Sequence, residues 1–270
     1  MSTRRERGLV VGLDAATVGA RRGWALVAVE VEAEVRPRDA RGARGLPHLG
    51  PVVGLAFATD LAPLLAGRLP GLPALEARPL LAVGIDIPVG LVASGLRAAD
   101  VEGRRALGAR SSTLYPIAPR PVVEEPDYDR AKEAALRLTG RKVSKQSHGL
   151  RRRILEVDAL LRGAPSDAAP WFEVHPELSF AALAGEVLAS SKATDGGLAE
   201  RTRLLGGVGL VPGSGVPTSD AAPRLKRDDV LDAAVAAWTA ARALVGRSLR
   251  YGEDLHQWDP DLDREVVIHA

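Results

Sequence analysis

Two apolar runs in this chain carry an aspartate where a buried strand has no ordinary use for one. Asp14 closes the run Leu9–Leu13, and Asp86 sits between Ile85 and Ile87 in the run Leu81–Pro88. A third acidic group, Asp228, Asp229 and Asp232, opens a long Ala-rich stretch that continues through Trp238. Removing a carboxylate from water is costly unless something positive stands beside it. Acids in three such segments therefore predict one shared cation. Oxygen-only ligands favour Mg²⁺ or Mn²⁺, ions that commonly serve phosphate chemistry. The expected function is divalent-metal-dependent phosphodiester hydrolysis.

The length of 270 residues suits one large domain or a domain with a substantial insertion. An apolar fraction of 46% supports a well-buried core, and with aromatics at 4% that core must be mostly Ala, Leu and Val. The formal net charge of +2 is too small to demand a nucleic-acid partner. Arg141, Lys142, Lys145, Arg151, Arg152 and Arg153 form a basic stretch. It reads either as a track for a phosphate backbone or as a solvated helix face. Cysteine is absent, which excludes disulfides, a thiol nucleophile and cysteine-ligated metal sites. No window approaches the roughly 20 uninterrupted apolar residues of a membrane span. The first residues are basic and include no apolar segment of signal-peptide length. A cytoplasmic location without a membrane partner is expected.

Short apolar runs bounded by Gly, Pro or charge predict strands over Leu9–Ala15, Gly23–Glu32, Val52–Ala58, Leu80–Ile87 and Trp171–His175. A turn is expected at Gly42–Pro51, and Thr59 is the candidate cap of a helix over Asp60–Leu69. The Arg-dense segment from Leu91 and the prolines through Pro126 lack clean periodicity and read as loop. Helices are expected over Asp127–Thr139, Ser144–Leu161, Pro176–Ala184, Gly197–Leu205 and Lys226–Val245. Pro212–Pro223 reads as a flexible loop, and the tail from Tyr251 as an irregular, Asp-rich segment able to pack back in extended form. Three early strands on short connections suit an antiparallel meander, and the later helix-linked strands suit parallel addition. The fold class is α/β with a mixed five-stranded sheet flanked by helices. One domain is expected over 1–250, with an α-rich insertion at about 91–169 and a tail at 251–270.

Several residues in this frame can carry chemistry. Asp229 and Asp232 share a helix face and can converge on one ion, with Asp228 as the other possible partner of Asp232. The structural alternative is capping, since acids favour the first turn of a helix. Glu173 and His175 point to one face of their strand. They read as a metal ligand and a general acid/base, or as a hydrogen-bond cluster ending the strand. Arg97, Arg104, Arg110, Ser111 and Ser112 follow the fourth strand and suit phosphate binding. With Asp100, the same arginines can instead form an ionic network inside an irregular loop.

Asp14 on strand one, Asp86 on strand four and Asp229-x-x-Asp232-Ala233 on a late helix resemble the RNase H-like superfold, in its RuvC-type resolvase branch. More closely, the chain resembles the family catalogued as domain of unknown function 429, described as predicted RNase H-like nucleases. The stretches that carry this likeness are Val11–Asp14 with Gly23-Trp24, Gly84–Leu91, Arg97–Asp100 through Arg110–Ser112, Glu173–Phe180 and Asp228–Ala233. They span about residues 8–246. Resolvases commonly carry Glu on the fourth strand, where Asp86 is shorter by one carbon, roughly 1.5 Å.

The resemblance implies that Asp14, Asp86, Asp229 and Asp232 hold Mg²⁺ or Mn²⁺, with Asp14 central. It implies a nucleic acid or nucleotide as substrate. Two other readings share the fold. An actin- or sugar-kinase-like phosphotransferase would want glycine beside Asp14, where the chain has Ala15 and Ala16. A non-catalytic protein would use the same fold to bind nucleic acid or a partner.

Overall fold

The computed structural model describes residues 4–35, 45–211 and 216–270. Its central element is a five-stranded sheet of order β3-β2-β1-β4-β5. β1 (Arg4–Val18), β2 (Arg21–Val35) and β3 (His48–Ala58) form an antiparallel meander. β4 (Leu80–Ile85) joins β1 in parallel, and β5 (Trp171–Glu173) joins β4 in parallel. The mixed five-stranded α/β sheet expected from the sequence is present.

Period-two alternation sets the packing. Val10 and Ala16 of β1 and Ala25, Val27, Val29 and Val31 of β2 share one face. On that face they meet α9 (Arg227–Leu244), whose residues Leu231 through Ala241 are all buried. α7 (Pro176–Ala184) is held to α9 by a buried hydrogen bond from Thr239 Oγ1 to Ser179 Oγ, 2.8 Å. α8 (Asp195–Gly207) adds Leu205 to the same core. Its N-terminus is capped by Thr194, which accepts from the Gly197 amide at 3.1 Å.

The chain divides into two compact units. The first is Met1–Asp86 with Pro165–Leu249 and His269–Ala270, and the second is Ile87–Ala164 with Arg250–Ile268. The second unit holds α2 (Ala98–Leu107), α3 (Arg120–Glu124), α4 (Tyr128–Thr139), α5 (Lys145–Gly149) and α6 (Arg151–Arg162). The tail contributes the short strands β6 (Arg250–Tyr251), β7 (Trp258–Asp259), β8 (Arg264–Glu265) and β9 (Ile268–His269). Arg120 binds this tail into the second unit. Its guanidinium donates to both oxygens of Asp158 at 3.0 Å and to the fully buried Asp259 at 2.6 Å. Asp259 also accepts from the Leu91 amide at 2.7 Å.

Four local expectations are revised. The segment from Leu91 to Pro126, expected as loop, contains α2 and α3. The buried side of α2 includes Asp100 and Gly103 beside Ala98, Ala99 and Leu107, so no clean apolar stripe announced it. The helix expected over Asp60–Leu69 is only the single turn α1 (Ala62–Leu65). Asp60 rather than Thr59 accepts from its first amide, Ala62, at 2.9 Å. The helix expected over Ser144–Leu161 is divided at Leu150 into α5 and α6. Pro217 and Ser219 exchange backbone hydrogen bonds with Leu55 at 3.0 and 3.1 Å, so this part of the expected loop lines the edge of β3. Residues 212–215 of that loop, and 42–44 of the expected earlier turn, lie outside the described residues.

Candidate functional site

Two glycines decide where the acids meet. Gly12 of β1 pairs with Gly84 of β4, and Leu13 with Ile85. The ladder runs one step further, with the Asp86 amide donating to Leu13 O at 3.0 Å. Asp14 and Asp86 stand two residues beyond the glycines, so alternation returns both to the glycine face. That face lies against α9. A Cβ on Gly12 would fall 1.8 Å from Ala233 O, and one on Gly84 would fall 2.3 Å from Ala236 O. The helix therefore rests directly on the strand backbones. Asp232 immediately precedes Ala233, and Asp229 lies one turn earlier. The sheet register and this close approach together gather Asp14, Asp86, Asp229 and Asp232.

Asp14 and Asp232 are buried, while Asp86, Asp228 and Asp229 are half-buried. Burial, reinforced by the charges of Asp232 and Asp86, lifts the Asp14 carboxyl well above its ordinary value. Burial likewise raises Asp86 and Asp232 to about 6, against the pull of Lys192. Burial and the neighbouring Asp228 charge raise Asp229 to about 6. The neighbouring Asp14 carboxyl eases ionisation of Asp86 in part.

Lys192, in the turn before α8, supplies the opposing charge. Its Nζ donates to Asp232 Oδ2, and its charge acts on Asp14, Asp86 and Asp229 as well. These acids hold the Lys192 ammonium above its usual value despite burial. The sequence offered no signal for this residue, because position 192 lies in a polar turn without periodicity. Glu177 was passed over as well. Its charge bears on Asp86 and Asp232, and it is buried in an ion pair with Arg201 at 2.7 Å. Glu173 ends β5 opposite Ile85 and is buried, and His175 is the residue before α7.

The arginine set lies in the second unit. Arg97 is buried and donates to Asp100 Oδ1 at 2.8 Å. Arg104 Nη1 donates to the carbonyls of Ser111 and Leu114 at 2.6 and 2.5 Å. Arg110, Ser111 and Ser112 form part of the 3-10 turn Gly108–Thr113. Ser112 is exposed, and Arg110 and Ser111 are half-buried.

The donor set of the first unit fits a hard divalent cation in kind. It offers only carboxylate oxygens, and Asp232 Oδ1 is buried without a hydrogen-bond partner. Among the described residues no three His, Asp or Glu side chains converge into a finished metal cage, so Lys192 is the resident positive charge in this conformation.

The raised carboxyls make a pH prediction with a definite sign. Their folded values exceed the ordinary 3.8. The contribution of Asp86, Asp229 and Asp232 is therefore complete below about pH 4 and is lost as pH rises through about 6, and that of Asp14 is lost in the same direction. Melting temperatures across that window should show Asp14→Asn gaining on the native protein as pH rises. Parallel curves would mean that the acids carry no such burden.

No helix among the described residues is long and apolar enough to cross a membrane. Comparison with curated proteins and with solved structures finds no match. The family model described as "Protein of unknown function (DUF429)" matches residues 12–256, and the chain belongs to that family.

Proposed function

We propose that Asp14, Asp86 and Asp232 form a divalent-cation-dependent centre for phosphodiester hydrolysis, with Asp229 at its edge. One observation carries this reading: Asp232 Oδ1 is buried without a hydrogen-bond partner beside other carboxyls whose ionisation burial opposes. A fold retains such a cluster at a cost to stability, and function is the usual reason. The placement of acids at the ends of β1 and β4 and on the last long helix supports the RNase H-like resemblance.

Asp14, Asp86 and Asp232 would hold Mg²⁺ or Mn²⁺. The ion would supply electrostatic stabilisation of the developing phosphoryl charge and lower the pKa of an attacking water. The chain's own groups prepare that state. Burial opposes ionisation of Asp14 and Asp86, and a bound cation would offset that cost. Lys192 neutralises Asp232 until then. Once displaced, its ammonium is available to a phosphate oxygen, a contact for which Lys is well suited. A nucleic acid or a nucleotide is the substrate class.

The Lys192–Asp232 ion pair also favours a second reading. Lys192 would then be the permanent cation, and the protein would bind nucleic acid or a partner without turnover.

The test is cleavage of single-stranded, duplex, hybrid and branched nucleic acids and of nucleotides, with Mg²⁺ or Mn²⁺. Asp14→Asn should lower metal-dependent turnover on the order of a thousandfold, because the loss of several kcal/mol of charge stabilisation corresponds to about that factor. Absence of both turnover and calorimetric Mn²⁺ binding would leave the second reading.

A further inference from the structure

The second unit contains a cavity of about 290 Å³ that the hydrolytic reading does not use. It lies between α2, the segment Pro116–Ala118, the end of α4 and the segment Arg141–Ser144. Its walls are apolar where Ile117, Ala135 and Val143 contribute, and all three are buried. Ala135 and Val143 also belong to the packed cluster that anchors α4, which makes this wall rigid. Val101 on the same lining is exposed, at 41%, although it is apolar.

Charge in the lining is one-sided. Arg97, Arg104, Arg141 and Lys142 face a single carboxylate, Asp100. Asp100 is already committed, because Oδ1 accepts from Arg97 at 2.8 Å and Oδ2 from the Ile117 amide at 2.7 Å. Arg104 is fixed through one nitrogen by two backbone carbonyls, so its guanidinium is oriented in advance. Arg141 and Lys142 are exposed at the mouth. An apolar chamber with a few placed polar groups is the ordinary form of a small-molecule site. Guanidinium and ammonium groups select an oxyanion.

We propose that this cavity binds a small organic anion, a phosphate or carboxylate carried on an apolar body of about one ring. The apolar body would lie against Ile117, Ala135 and Val143, and the oxyanion would meet Arg104, Arg141 and Lys142. This inference stands apart from the hydrolytic centre and does not require it.

The experiment is calorimetric titration of the full chain with phenylphosphonate, phenylacetate and inorganic phosphate. One aromatic anion should bind at one site per chain, at least tenfold more tightly than inorganic phosphate, and the tighter of the two identifies the headgroup. Arg141→Ala combined with Lys142→Ala should weaken that binding at least tenfold, and both positions are exposed, so folding is preserved. Ala118→Phe, which fills the chamber from its wall, should abolish binding while the melting transition stays cooperative. Equal affinity for inorganic phosphate would reduce the site to surface charge and overturn the proposal. So would unchanged affinity in the double variant, or no binding of either aromatic anion.

Discussion

Gly12→Ala is expected to unfold the protein or to lower its melting temperature by about 10 °C or more. The added methyl would stand 1.8 Å from Ala233 O and 2.5 Å from Ala237 N, both backbone atoms of α9. Ordinary carbon contacts lie near ~3.5–4.0 Å, so neither a rotamer change nor a small shift relieves the clash. The helix itself would have to lift from β1, opening the core that Ala233 and Ala237 close. A loss above about 4 kcal/mol is exceptional for one methyl group and would mark this as a backbone contact. Gly196→Ala serves as the control. It lies within α8, its Cβ would meet nothing within 4 Å, and the change should be neutral or stabilising by up to about 1 kcal/mol. If thermal melting of the two variants were similar, the close approach of helix and strand would be wrong. The site would then lose its geometric basis, because the same approach brings Asp232 to Asp14.

Arg201→Met should cost about 3–5 kcal/mol, the usual consequence of removing one member of a buried ion pair. Arg201 is fully buried and its Nη2 donates to Glu177 Oε1 at 2.7 Å. Its Nη1 reaches Ser190 O and Gly197 O at 3.2 and 3.1 Å, and its guanidinium lies 5.3 Å from the centroid of the Phe180 ring. One side chain thus ties α7 to both ends of the turn that carries Lys192. Methionine restores the packing volume but none of these donors, and Glu177 is left buried. Adding Glu177→Leu should recover much of the loss, because removing both partners of a buried pair is often near neutral. Chemical denaturation of the single and double variants decides the matter. A loss below about 1 kcal/mol in Arg201→Met would be the behaviour of a surface pair.

The two predictions rest on residues of very different legibility. Gly12 and Gly84 were visible as glycines inside apolar runs, and Asp14 and Asp86 as acids at matching offsets from them. Strands β1 to β5 and helices α4, α7 and α9 followed from short-range alternation or helical spacing. Pro176 at the start of α7 and the Asp127 cap of α4, which accepts from Arg130 N at 2.9 Å, are local signals of the same kind. α2 was not legible because its buried side is partly polar: Asp100 is satisfied by Arg97 and the Ile117 amide, partners that a period search cannot see. The partners of the tail were not legible for a similar reason. Asp259 meets Arg120 across a separation of 139 positions in the chain.

The sequence by itself determined the sheet, the long Ala-rich helix and the acidic character of the segments that end at Asp14 and Asp86, because alternation, small side chains and desolvation cost act over a few residues. Only the tertiary structure decided which charges share one site. Register placed Gly12 beside Gly84, bare backbone let α9 settle there, and that approach delivered Asp232 to the strand ends. The turn before α8 then brought Lys192 to Asp232, and Arg201 held that turn in place. These partners are set by chain reversal and packing over distances that no local pattern encodes.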